Sequence, residues 1–336
     1  MSIFNRKIKI LPHLIATFCS LLIIFLFVLH VVNVRNGEMR TKKITSADIK
    51  SVNILSFNLN RRASYEEKLK QRFGEYFLGH KIGNDIRLLN VCNGKQELVF
   101  ENINNGKQYT FNDIEMFADY DLFKNGIWKV CAKNNKTECL YYSQNINRLN
   151  RRHVYPDNKM FNVFGCFFSH LRAIKKISQQ EKNTYGLVFE DDFAVSDNFE
   201  IDVRNVFNSV PNDFDVLKIT LSEHDLNKNR KKVNFFSTIK ERLCSYKKNG
   251  YGHWMDLSCQ ADEDTNRRLA NGTHAYLVSQ EGAEKIISFF KNNVSLGLVD
   301  VDLFYYMPKM DKNIKVYFYT GKVPFGLADY SKQSSI

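Results

Sequence analysis

The chain has 336 residues, 44% of them hydrophobic and 13% aromatic, with five prolines; this composition excludes a disordered or collagen-like chain and allows a sizeable buried core. A formal net charge of +12 attracts phosphates, anionic lipid or nucleic acid. No zinc finger, RNA-binding signature or basic helical repeat accompanies it, so nucleic acid is not an expected partner, and an enzyme at a membrane surface handling anionic substrates accounts for the charge equally well.

Residues 1–13 read as a short tail. From Leu14 to Val34 the chain is apolar apart from Thr17, Ser20, His30 and Asn33, long enough to cross a hydrocarbon core that needs about 20 residues, which predicts a single-pass N-terminal anchor. Arg6, Lys7 and Lys9 precede it and Arg35, Arg40, Lys42 and Lys43 follow it, a balance that does not fix the side of the membrane. Residues 35–50 form a polar linker, and 51–336 read as one globular domain. Cys19 lies in the anchor; the other six cysteines permit disulfides without requiring them, and no C-x-x-C pair suggests zinc.

The globular part opens with a strand over 52–58. Ser64 and Glu67 make a capping box for a helix reaching to about Phe77. Arg61 and Arg62 precede that helix, where backbone N–H groups and the dipole also favour anions, although two arginines solvating a turn would look the same. Residues 79–160 are polar with short apolar pieces, and irregular structure with small β elements is expected. A helix follows from Gly165 to about Gln180, with Phe167, Leu171 and Ile174 spaced to face a core. Ser169 and His170 are neighbours on it, pointing about 100° apart, so they are not a nucleophile and base pair. Each can contact a ligand separately or belong to a structural helix start.

Leu187-Val188-Phe189 reads as a buried strand that ends in Glu190-Asp191-Asp192. Adjacent ionised carboxylates repel, and a hard divalent cation with open positions for phosphate oxygens would offset them; the bland alternative is a solvated acidic turn. A further strand over 214–219 completes an alternation of strands and helices, which argues for an α/β sheet whose ligands collect at the carboxyl ends of its strands. Residues 225–268, around an isolated Trp254, suit a loop over a site. A strand over 273–279, a helix over 282–287, the acids Asp300 and Asp302 and a last strand over 315–319 follow.

In order, Asn58-Leu59-x-Arg61-Arg62, Gly165-Cys166-x-x-Ser169-His170, Glu190-Asp191-Asp192, Gly272-Thr273-His274-Ala275-Tyr276-Leu277-Val278-Ser279 with Gly282-Ala283, and Val301-Asp302 resemble glycosyltransferase family 25, the lipopolysaccharide and collagen galactosyltransferase group. The first motif departs from the family pattern in having Asn60 where an acid is usual. The resemblance implies a GT-A type fold, a Rossmann-like mixed sheet flanked by helices, here preceded by the N-terminal transmembrane helix. It implies an inverting transfer of a hexose, galactose above all, from a nucleotide sugar, UDP-linked, to a hydroxyl of a lipid-linked or protein-linked glycan. Lipopolysaccharide or other envelope-glycan synthesis is the favoured setting. Glu190, Asp191 and Asp192 would hold a divalent ion, usually manganese; Asn58, Arg61, Arg62, Ser169, His170 and His274 would meet the donor. Inversion needs one base, for which Asp302 is the candidate, with Asp192 and Asp300 competing. A catalytically inactive relative that binds sugar or lipid is the alternative.

Overall fold

A computed structural model describes residues 17–27, 40–56, 59–83, 86–113, 126–143, 159–191, 193–195, 198–219, 244–248, 252–259, 272–295, 297–319 and 326–328. Residues 17–27 are helical and expose Phe18, Ile23 and Phe27. They belong to the segment read as an anchor; among the described residues no helix is long and apolar enough to cross a membrane, and 14–16 and 28–34 lie outside them.

The principal elements of the domain are β1 (Ile49–Ser56), α1 (Leu59–Phe73), β2 (Ile86–Asn90), β3 (Leu98–Asn102), β4 (Gln108–Tyr109), β5 (Ile127–Ala132), β6 (Asn135–Ser143), α2 (Lys159–Ser178) and β7 (Tyr185–Glu190). They continue with α3 (Phe199–Phe207), β8 (Val216–Lys218), β9 (Ser245–Lys248), β10 (Gly252–Asp256), β11 (Ala275–Ser279), α4 (Gln280–Asn292), β12 (Val294–Ser295) and β13 (Val316–Tyr319). The protein is therefore mixed α/β, as the alternation of patterns predicts.

Eight strands form the main sheet in the order β9-β10-β13-β8-β11-β7-β1-β2. β2, β1, β7, β8 and β13 run the same way, and β11 is inserted antiparallel between β7 and β8. This topology brings the carboxyl ends of β1, β7 and β8 to one edge together with the amino end of β11. Both faces of the sheet are buried, which is why Leu187 to Phe189 reads as an unbroken apolar run rather than an alternating one. Val188, Tyr276 and Phe318 belong to the core on one side, and Leu187, Leu277 and Tyr317 to the core on the other.

Three elements depart from the sequence expectation. α1 begins at Leu59 and ends before Gly74, so Ser64 is inside the helix rather than its cap; Gly74 adopts φ 74°, the left-handed conformation that closes a helix. Residues 98–143 contribute four strands of a five-stranded sheet, in the order β12-β6-β5-β3-β4. Its strands are short and joined by polar turns, which is what the polar reading of this region registered. Trp254 is fully buried, on β10, with its indole donating to Ser209 O at 2.9 Å. It is a core residue and not part of a loop over a site.

The long helix α2 lies between the two sheets, which is why Phe161, Phe164, Phe167, Phe168, Ile174 and Ile177 are buried around more than one stripe. Arg172 fastens it to the second sheet, with Nε 2.9 Å from Glu138 and Nη2 3.1 Å from Glu97. Two disulfides, Cys131–Cys139 and Cys244–Cys259, realise what the cysteine count allowed. Loss of the second, which spans 15 positions, is expected to cost about 3 kcal/mol through loop-closure entropy, readable as a lowered urea midpoint under reductant. Burial pushes the Cys92 thiol up to about 12. Native protein at pH 8 is therefore expected to leave Cys92 unlabelled by a thiol reagent until it is unfolded.

Candidate functional site

β7 delivers Glu190 and Asp191 to the carboxyl edge, and the two-residue period of the strand turns them to opposite sides of the sheet. Asp191 Oδ2 accepts from Ser56 Oγ, at the end of β1, at 2.8 Å, and its backbone N–H donates to Leu55 O at 3.0 Å. Glu190 faces α2. Its Oε1 lies 3.1 Å from His170 Nε2 and accepts from Thr273 Oγ1, while His274 Nδ1 stands 3.5 Å from Oε2. Burial favours the neutral acid, yet the hydrogen bonds from His170 and His274 hold Glu190 well below the usual carboxylate range.

His170 is itself oriented by Tyr276 Oη, 2.8 Å from Nδ1. With Nε2–H directed at the carboxylate, Nδ1 accepts from the tyrosine. His170 is fully enclosed and holds Glu190 from behind the edge. Ser169 points elsewhere: its Oγ accepts from Cys92 N at 2.8 Å and donates to Gly165 O at 2.7 Å, docking the 91–93 segment on α2. Both residues of the Ser169-His170 pair thus have interior partners.

His274 is nearly buried and sits against Gly272; a Cβ added there would lie 2.6 Å from His274 Nε2. Gly272 N donates to Asp300 Oδ2 at 2.9 Å, which ties the acidic segment after α4 to the entry of β11. Asp302 has no exposed surface. Its Oδ2 accepts from Ser295 Oγ at 2.9 Å and Gly297 N at 3.0 Å, holding the turn that precedes its helical run. Asp302→Ala is expected to lower stability by about 1–3 kcal/mol, since it leaves buried donors unpaired; a melting temperature equal to wild type would contradict this.

Of the residues singled out from sequence, Glu190, Asp191, His170 and His274 converge on one edge, and Ser169 and Asp302 do not. Arg61 and Arg62 are on α1, with their side chains outside the described residues; Asn58 and Asp192 lie outside them altogether. Ser56, Thr273 and Tyr276 join the site unforeseen. Tyr276 had a readable signal, lying two residues past His274 in the run 273–279 that the sequence reads as one strand.

The donor chemistry divides the acids. Cys166, His170 and Glu190 offer one ligand atom each within 4.8 Å of one another, a thiol, imidazole and carboxylate set suited to zinc rather than manganese. Asp191, an oxygen donor steadied by Ser56 at the strand end, fits a hard cation such as manganese.

A mixed sheet with acids where its parallel strands end defines a class of α/β proteins that bind ligands at that edge. The model of glycosyltransferase family 25 (LPS biosynthesis protein) matches residues 161–305, which bears out the resemblance over that span. Four of the five motifs fall within it, and Asn58 to Arg62 precede it. No curated protein and no solved structure matches the chain.

Proposed function

We propose that the protein is a metal-dependent inverting glycosyltransferase of GT-A type. It moves a hexose, galactose above all, from a UDP-sugar to a hydroxyl of a glycan acceptor in lipopolysaccharide or other envelope-glycan synthesis, and the apolar segment 14–34 anchors it to the membrane. The observation that carries the reading is the edge itself: where β1 and β7 end, Asp191 is held by Ser56 and its neighbour Glu190 by Thr273 and His274, and the family match covers all of them except Ser56.

Asp191, with Asp192, is the holder of the manganese ion, whose chemistry would be to neutralise the donor diphosphate and the leaving nucleotide. His274, held by Glu190 at the same edge, would contact the donor, and Arg61 and Arg62 at the start of α1 would add positive charge for phosphate. The acceptor hydroxyl needs one carboxylate as base. Asp302 is enclosed, whereas Asp300 is half-buried and bonded to Gly272, so Asp300 and Asp192 are the better candidates.

The test is a screen of the purified chain against nucleotide sugars with manganese, read by thermal stabilisation, where one donor at 100 times its dissociation constant is expected to add about 2.7 kcal/mol. Stabilisation by a UDP-hexose followed by transfer supports the reading. Glycan binding with neither transfer nor donor hydrolysis would favour the inactive sugar-binding relative instead.

A further inference from the structure

We propose that Glu190 is a positioning residue rather than a metal ligand: it fixes the Thr273-His274 pair at the carboxyl edge, and His274 is the group that meets the donor. This rests on the glycosyltransferase reading for what His274 meets, but not for what Glu190 holds.

Both carboxylate oxygens are already committed within the protein. Oε1 serves His170 Nε2 and Thr273 Oγ1, and Oε2 faces His274 Nδ1. A cation taking Oε1 would displace two buried donors and leave them unpaired, and one taking Oε2 would compete with the His274 ring. The backbone closes the same ring, since Glu190 N donates to His274 O at 3.0 Å. The first histidine is set by Tyr276 Oη, so α2, β7 and β11 all converge on this one carboxylate.

The far side of the segment is held as tightly. Gly272 has φ 78° and room for no Cβ beneath the His274 ring, and its N–H is tied to Asp300. With Nδ1 turned to Glu190, the imidazole presents its Nε2 side toward Gly272, at the mouth of β11. Asp191 differs on each count: it faces the opposite side of the sheet and is steadied by a hydroxyl donor from β1. The triplet therefore divides its labour, one acid orienting an imidazole and its neighbour presenting oxygen to a cation.

The experiment compares full-length wild type, Glu190→Gln, Asp191→Asn, His274→Asn and Glu190→Gln/His274→Asn. It reads manganese affinity by calorimetry, donor affinity and turnover, and the ring-nitrogen signals of histidine-labelled protein. Glu190→Gln is expected to leave manganese affinity within about twofold and lower turnover about tenfold or more, as a misplaced contact group does. On the His274→Asn background it is expected to add less than about twofold, because it acts through that ring. The His274 ring signals are expected to show a protonated Nδ1 in wild type and to change in Glu190→Gln. A tenfold loss of manganese affinity in Glu190→Gln, additive losses in the double variant, or stoichiometric zinc lost on Cys166→Ser would overturn the proposal. If wild type binds neither manganese nor any nucleotide sugar, the transferase reading falls, and the His274 signals still decide whether Glu190 positions the ring. Should Glu190→Gln not fold, Tyr276→Phe is expected to shift the His274 signals through His170 with manganese affinity unchanged; unaltered His274 signals would count against it.

Discussion

Gly94→Ala is expected to destabilise the protein by about 3 kcal/mol or more, or to prevent folding, the largest effect expected of a glycine-to-alanine change among the described residues. Gly94 begins a one-turn helix, Gly94–Glu97, that runs directly against α2. A Cβ built there would stand 1.6 Å from Phe161 O and 2.5 Å from its carbonyl carbon. These are backbone atoms of a buried helix, so no side chain can swing away, and either α2 or the 92–97 segment must move. Movement would be felt widely, because Gly165 makes the reciprocal approach, its Cβ position lying 2.7 Å from Cys92 O. Ser169 and Arg172 fasten the same contact. Gly106→Ala is the comparison: its φ of 68° strains an alanine, but nothing lies within 4 Å of the new methyl, and about 1 kcal/mol is expected. Chemical denaturation of both variants measures the difference; equal, small losses would show that α2 is free to give way.

The close packing explains what was legible in the sequence and what was not. β7, β11 and α4 were readable because a buried strand and an amphipathic helix are local patterns. The carboxyl edge followed from the strand and helix alternation, and the edge is where Glu190, Asp191 and His274 were found. The division of the acidic triplet was not readable. It depends on which face of β7 is covered by His170 and which by Ser56, contacts that span 20 and 135 positions. The same holds for Ser169, whose place in a motif suggests a ligand and whose partner is the backbone of Cys92. Asp302 has an acid's chemistry in sequence and a turn-holding role in space. Motif position locates a residue near chemistry; only its hydrogen-bond partners say whether it faces inward.

Asp191→Asn is expected to reduce metal-dependent turnover by about 100-fold or more while leaving the melting temperature within a few degrees. A metal ion's stabilisation of charge developing on a leaving diphosphate is worth several kcal/mol, and each 1.4 kcal/mol or so is a factor of ten. Replacing the carboxylate by an amide removes the negative charge that would hold the proposed ion but keeps an oxygen to accept from Ser56 Oγ, so the strand end stays in register. Ser56→Ala is the graded counterpart. It deletes the hydroxyl that orients Asp191 and touches no ligand itself, and the loss in metal affinity expected of such an outer partner is about tenfold. Excess manganese should then restore the Ser56→Ala enzyme toward wild-type rate and leave Asp191→Asn inactive, because only the first retains the full charge of the ligand set. A manganese titration of both variants at saturating donor reads this directly. Full turnover in Asp191→Asn would remove Asp191 from the metal site, and failure of manganese to rescue Ser56→Ala would mean that the hydroxyl supports the edge in some way other than through the cation.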